Sequence, residues 1–275
     1  MKKNIFVLTS LMLTLGCGCD SFLDETNYSD VTSEGGYYDT EAGLNAVVNA
    51  CYTPLRFWAG KEDAIGLSET GTDIIAAGSG CVDNNMAAYT QSLDGTNSAC
   101  TFYFDRFYAA INWCNTAIFH AQTVPNPSND EILATTLNKR EAEARVLRTF
   151  YYWILTETFG DTYYTDQPST SIVMNPVKTS TDNIYQYMFD DLDWAIKSKL
   201  STLQNDGGRV TIWTAKALKA RLLLTRASEK NDVDMYGQAY DLAKDVIENG
   251  PFELAEDFAS IWDMKNSDGN SNKEV

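Results

Sequence analysis

General acid–base catalysis at neutral pH looks first to histidine, and this chain has one, His120. A histidine-based triad or a multi-histidine metal site therefore has almost nothing to work with. His120 follows Phe119 at the end of an apolar-periodic run, where it reads as a C-terminal helix cap or a surface residue. No Gly-x-Ser-x-Gly elbow and no phosphate-cradling glycine motif occurs. Glycoside hydrolysis needs only two carboxylates. Asp190, Asp191 and Asp193 are close together, but on a segment whose opposite face is apolar, so they read as a solvated acidic face. Glu143, Arg145 and Arg148 share one long helical segment with Phe150, Tyr151, Tyr152 and Trp153. They read as pairs between helices, so no catalytic residue, metal or cofactor is expected.

Binding chemistry has more to work with. Sugars ask for flat aromatic faces and for side chains that hydrogen-bond hydroxyl groups. Residues 66–101 lose periodicity and are rich in Gly, Ser, Asn, Asp and Thr; a loop of that length in a compact domain is functional or disordered. It offers Asp83, Asn84, Asn85, Tyr89 and Asn97. Tyr89 is its one aromatic, and either stacks on a ligand or folds onto neighbouring helices. Cys81 and Cys100 flank much of this stretch and are candidates for a disulfide across it, whereas Cys51 and Cys114 sit in apolar runs and read as small buried hydrophobes.

The elements that must position these residues are helical. Leu44, Val47, Val48 and Cys51 recur at three- and four-residue spacing behind Thr40, a candidate N-cap. Further helices are expected over 102–124, over 129–159 as one helix or as two meeting near Asn138, and from a cap at Asp182 to Lys199. Gly160 ends the second of these as a C-cap glycine would. Two last helices, 211–227 and 235–248, carry Trp213, Ala217, Ala220 and Leu223, then Tyr236, Ala239, Tyr240 and Ala243, with Pro251 just beyond. Small residues between large aromatics and a closing proline resemble a tetratricopeptide helix pair. The expected fold is all-α, a tetratricopeptide-like superhelix with long loops.

The formal net charge is −17 and the pI near 4.3. This argues against nucleic acid, whose phosphates need a concentrated basic surface, and against electrostatic docking on anionic lipid. The N-terminus supplies another route to a membrane. Lys2 and Lys3 precede an apolar run, Ile5 to Leu15, too short to span a bilayer, and Gly16-Cys17-Gly18-Cys19 closes it. This resembles a lipoprotein signal, with residues 1–18 removed, Cys19 (or Cys17) acylated and 19–36 a tether. Several acyl chains on one cysteine meet the requirement for stable anchoring. Export would also place the cysteines where disulfides persist.

Several segments together resemble the SusD/RagB family of outer-membrane nutrient-binding lipoproteins. Cys19-Asp20-Ser21-Phe22-Leu23-Asp24 is similar to the family's acylated start. Tyr37-Tyr38-Asp39-Thr40-Glu41-Ala42-Gly43-Leu44 resembles its entry into the first helix, continued by Asn49-Ala50-Cys51-Tyr52 and Leu55-Arg56. Glu143-Ala144-Arg145-Val146-Leu147-Arg148, Phe150-Tyr151-Tyr152 and Phe159-Gly160-Asp161 follow in order. Gly208-Arg209-Val210-Thr211 and Ala215-Lys216-Ala217-Leu218 with Ala220-Arg221 complete the series.

The resemblance implies a non-enzymatic lipoprotein at the outer membrane, facing the cell surface. It would bind an oligosaccharide or related nutrient for a TonB-dependent, SusC-like transporter. Members are much longer, so it also implies that residues 37–275 are the N-terminal helical part of a longer protein. Starch-binding members place tryptophans in the region of 66–101; this stretch has none, so either the ligand is not starch or starch is not gripped here. A helical-repeat lipoprotein that binds only polypeptide, and a glycoside hydrolase, are the alternatives.

Overall fold

The computed structural model describes residues 36–59, 62–76, 78, 84–126, 128–203 and 207–263. The expected signal segment, Cys17, Cys19, Cys81 and Asp83 lie outside the described residues. Residues 38–275 form one unit, to which everything below refers.

Four long helices follow one another and each packs on the next: α5 (Ser98–Thr123), α6 (Glu131–Phe159), α7 (Thr181–Ile196) and α8 (Ile212–Lys230), with α9 (Val233–Asn249) against α8. Helix α1 (Glu41–Tyr52) lies across α5 and α6. Sequential neighbour packing of this kind is what a helical-repeat superhelix requires. Between α1 and α5 run three short helices, α2 (Leu55–Ala59), α3 (Glu62–Ser68) and α4 (Asn84–Ala88); α10 (Phe258–Ile261) follows α9. The stretch read as loop over 66–101 is therefore partly helical. Strands β1 (Thr162–Tyr163) and β2 (Lys178–Thr179) form an antiparallel ribbon, too short to leave a period in the sequence.

The caps explain the boundaries. Thr40 accepts from the Gly43 amide at 3.1 Å, as expected. Asn97 caps α5 through the Ala99 and Cys100 amides, at 3.0 and 3.3 Å, four residues before the helix was expected. Asp130 caps α6, which runs unbroken past Asn138 to Gly160, where φ is +70°. The expected cap at Asp182 is corrected to Ser180. Asp182 instead pairs across to Arg226 and Lys230 of α8.

The apolar seam expected in α1 is buried to the last residue: Leu44, Val47, Val48 and Cys51 meet Tyr103, Phe107, Ile111 and Cys114 of α5, with Tyr151 of α6 behind. Tyr151 donates its hydroxyl to the Cys51 carbonyl at 2.6 Å. His120 is corrected from surface to core: it is buried, with Nδ1 2.7 Å from Asp39 and its ring against Tyr38.

The α8–α9 pair forms, turning at Asn231, which is left-handed. Its contact is narrower than the alanine pattern suggested. Ala220 and Ala239 are buried, but Ala217 and Ala243 are exposed, and Ala215 and Ala227 are the fully buried small residues. Tyr236 and Tyr240 also face outward. Among the described residues α9 packs chiefly on α8, and Ala239 is its buried residue.

Candidate ligand-binding cleft

Most of the residues that give the sequence its motifs build the scaffold. Glu143, fully buried in α6, gathers Arg140, Arg209 at 2.9 Å and the Tyr52 hydroxyl at 2.7 Å. Arg209 also reaches Asn49 at 2.6 Å, and the Val210 amide donates to Tyr52 at 3.0 Å. Three motifs distant in sequence thus converge on one carboxylate. Along the same helix Arg148 forks onto Asp191 of α7, Nε to Oδ2 and Nη2 to Oδ1, both 2.8 Å, and Nη1 reaches Asn115. Arg145 bridges Asp191 and Glu141 while lying 4.6 Å over Trp194. Burial opposes the charge on Arg148, but Asp191 beside it holds the guanidinium firmly protonated. These groups are interhelix pairs, as their setting suggested, and Asp191 is a buried partner rather than part of a solvated face.

The cleft lies elsewhere, where the start of α5 meets the end of α6. It has two lobes, of about 390 and 420 Å3, which share Gly95, Cys100 and Phe159. The first is walled by Leu67 at the end of α3, Thr70 just beyond it, Met86 of α4, and the segment carrying Tyr89, Leu93 and Asp94. The second is walled by Phe104 of α5 and by the ribbon residues Thr162, Tyr163 and Lys178, with Asp161 and Pro176 at its mouth. Phe159 stands edge-on to Phe104 at 5.5 Å, so an aromatic pair divides the lobes.

Each lobe carries one carboxylate that is held ionised. The Thr96 hydroxyl and amide, at 2.7 and 2.8 Å, hold Asp94 below the usual carboxylate range. The Thr181 amide and hydroxyl, at 2.8 and 3.0 Å, do the same for Asp161. Ionised carboxylates accept hydrogen bonds from hydroxyl groups. A general acid would need the opposite shift.

Of the ligand residues expected from sequence, Tyr89 lines the first lobe and is 69% exposed, its backbone left-handed at φ +48°. Asn97 borders neither lobe: it is buried and caps α5. Asn85 accepts from the Thr90 hydroxyl at 2.6 Å, which folds the chain toward Tyr89. Asn84 begins α4. Cys100 lies in the wall common to both lobes, so a bond to Cys81 would tether the cleft itself. Sequence reasoning missed Phe104, Phe159, Asp161 and Lys178 as a group. Phe159-Gly160-Asp161 was visible as a helix stop, but nothing in one dimension places it beside residues 89–95.

Residues 72–274 match a SusD-like family model described as starch-binding and associating with the outer membrane. The chain is 26% identical, over its whole length and 49% of the other, to a SusD-like protein of Bacteroides ovatus. It spans about half the length of the curated relatives it matches. Among solved structures, a SusD homologue from Bacteroides thetaiotaomicron superposes with a TM-score of 0.71 at 22% identity, covering 86% of this chain and 45% of that one. A laminarin-binding SusD-like protein gives 0.64 at 20% identity, covering 84% and 49%.

Proposed function

The chain belongs to the SusD-like family, and from that membership we propose that it captures a neutral oligosaccharide in the two-lobed cleft beside Phe159. The carrying observation is the pairing, in each lobe, of an aromatic surface with an ionised carboxylate: Tyr89 with Asp94, and Phe104 with Asp161. Aromatic faces complement the apolar face of a pyranose, and the carboxylates accept from its hydroxyls. A formal charge of −17 and two cleft carboxylates disfavour uronate- or sulfate-bearing chains. Laminarin binding by a structural neighbour supports a neutral glycan as the first to try.

On this reading the protein holds its ligand without cleaving it and hands it to a TonB-dependent transporter, anchored at the outer membrane through Cys19. The family resemblance supports the transporter, and Gly16-Cys17-Gly18-Cys19 after a short apolar run supports the anchor. No described helix is long and apolar enough to cross a membrane, which is compatible with attachment by acyl chains.

Calorimetric titration with neutral and anionic oligosaccharides of equal length is the direct test. Saturable binding of a neutral chain, weakened by Tyr89→Ala and by Asp94→Ala with no new reducing ends, is expected. Release of reducing ends would make the protein a hydrolase, and silence toward every neutral glycan would sink the reading. Fatty-acid labelling should mark the chain and be lost in Cys19→Ala; loss only in Cys17→Ala would move the anchor by two residues.

A further inference from the structure

Tyr163 of β1 lines the second lobe of the cleft, while Tyr164, the next residue, packs on Tyr152 and Tyr187 instead. Successive residues of an extended chain point to opposite sides. Buried Tyr152 of α6 is 5.0 Å from the Tyr164 ring; Tyr187 of α7 is 4.2 Å from it and within 20° of parallel. The stack leads from the core to Tyr187, which is 41% exposed. Seven residues on, half-buried Trp194 shares that side of α7, two turns or about 10 Å along the axis. The Arg145 guanidinium lies 4.6 Å over its ring. Exposed Asp190 stands between them, one turn from each, its Oδ1 accepting from the Gln186 amide at 2.8 Å. Neither the Tyr187 hydroxyl nor the Trp194 indole N–H has a hydrogen-bond partner among the described residues. None of these three residues lines either lobe of the cleft.

We propose that Tyr187, Asp190 and Trp194 form a second saccharide platform, apart from the cleft, along which a neutral oligosaccharide lies on α7. The ligand class rests on the glycan reading of the cleft; the site rests on its own residues. Two rings separated by two turns reach further than one sugar unit, so the platform selects a chain over a monosaccharide. Each ring is already backed, Tyr187 by Tyr164 and Trp194 by Arg145, so little side-chain freedom is lost on binding. Asp190 Oδ2 accepts from a sugar hydroxyl, and the phenol and the indole N–H donate to sugar oxygens.

The charges favour a neutral chain here too. Asp190 is exposed, as is Asp166 beside Tyr164. Arg145 is engaged by Asp191 and Glu141, which leaves it no free charge for an anionic chain. Because Tyr163 and Tyr164 are adjacent, a polymer held on the platform is also concentrated near the second lobe, and a long chain that reaches both gains avidity.

The test follows the platform directly. The full chain, labelled with fluorotryptophan, is titrated with maltohexaose, laminarihexaose and a xyloglucan oligosaccharide. The Trp194 fluorine resonance, assigned through Trp194→Phe, is read beside calorimetry. A saturable Trp194 shift is expected with one of the three glycans. It should persist in Tyr89→Ala/Asp94→Ala, which disables the cleft. Tyr187→Ala should weaken it about tenfold in affinity, and Tyr187→Phe, which keeps the ring, much less. A Trp194 that never shifts while calorimetry shows binding lost in the cleft variant overturns the platform and leaves the cleft standing. A persistent shift with calorimetry indifferent to the cleft variant supports the platform and removes the cleft. A shift lost in the cleft variant, or unchanged in Tyr187→Ala, overturns the platform; silence toward all three glycans overturns both. Parent and cleft variant keep the platform residues, so the outcome does not depend on Tyr187→Ala folding.

Discussion

The phenol of Tyr89 rests on the α-carbon of Gly71: a Cβ built at Gly71 would stand 2.8 Å from the Tyr89 hydroxyl and 2.9 Å from its ring. Gly71 is left-handed at φ +84°, a conformation glycine adopts without strain. The glycine therefore makes room for the ring and takes the backbone shape that places it.

Gly71→Ala should displace the ring and weaken neutral-glycan binding about as much as Tyr89→Ala does. For one stacked aromatic we expect roughly tenfold, equivalent to about 1.4 kcal/mol. Tyr89→Phe, which keeps the ring face, should retain most of the affinity. Calorimetric titration of the three variants checks this; unchanged binding in both Gly71→Ala and Tyr89→Ala would remove Tyr89 from the site.

Arg148→Ala leaves Asp191, 5% exposed, without its forked partner, although Arg145 remains. Breaking a buried pair from one side costs about 3–5 kcal/mol; the remaining Arg145 should hold the loss near the lower end. Arg148→Met/Asp191→Leu, which removes both charges, should be less destabilised than the single variant. Urea unfolding of both proteins measures the difference, and equal losses would show that packing, not the uncompensated charge, dominates.

Ala220→Leu should overpack the α8–α9 contact and cost about 1–3 kcal/mol. Ala217→Leu, on the exposed side of the same helix, should stay within about 0.5 kcal/mol of the parent. Lys230→Ala removes an exposed pair with Asp182 and should also cost little. Denaturant midpoints at constant slope would report these; a large loss for Ala217→Leu would mean that α8 buries a further face beyond those it turns to α7 and α9.

Alkaline titration should separate the tyrosines. Burial pushes Tyr164 up to about 12 and moves Tyr52, Tyr151, Tyr152 and Tyr185 further in the same direction; Glu143 adds to the shift at Tyr52 and Glu157 at Tyr185. A raised folded value means that the folded state favours the protonated phenol. The associated stability is whole below the unfolded value of about 10 and is lost as pH rises through the folded ones. Absorbance at the tyrosinate band should therefore show a late group that ionises only with loss of helical circular dichroism. Ionisation of all 15 tyrosines in one early phase, with helix intact, would contradict the packing of these five, of which Tyr151, Tyr152 and Tyr185 are buried and Tyr52 and Tyr164 half-buried.

The sequence by itself determined the helices and the family likeness, because both rest on short-range repetition. The seam Leu44–Val47–Val48–Cys51, the stop at Gly160 and the cap at Thr40 are written within a turn or two of where they act. Boundaries drifted where two capping residues competed: Ser180 took the cap expected of Asp182, whose carboxylate is held by Arg226 and Lys230, two cations far away in sequence. The same limit misjudged His120, whose partner Asp39 is 81 residues distant. The cleft was legible only as a polar loop with one aromatic. Tyr89 was in view, but Phe104, Phe159, Asp161 and Lys178 join it only because α5 and α6 pack along their lengths and bring the start of one helix to the end of the other. Tertiary packing alone decided which polar residues face the cleft and which, like Asn97, satisfy the backbone: a side chain records its own chemistry, not the direction in which the assembled helices turn it.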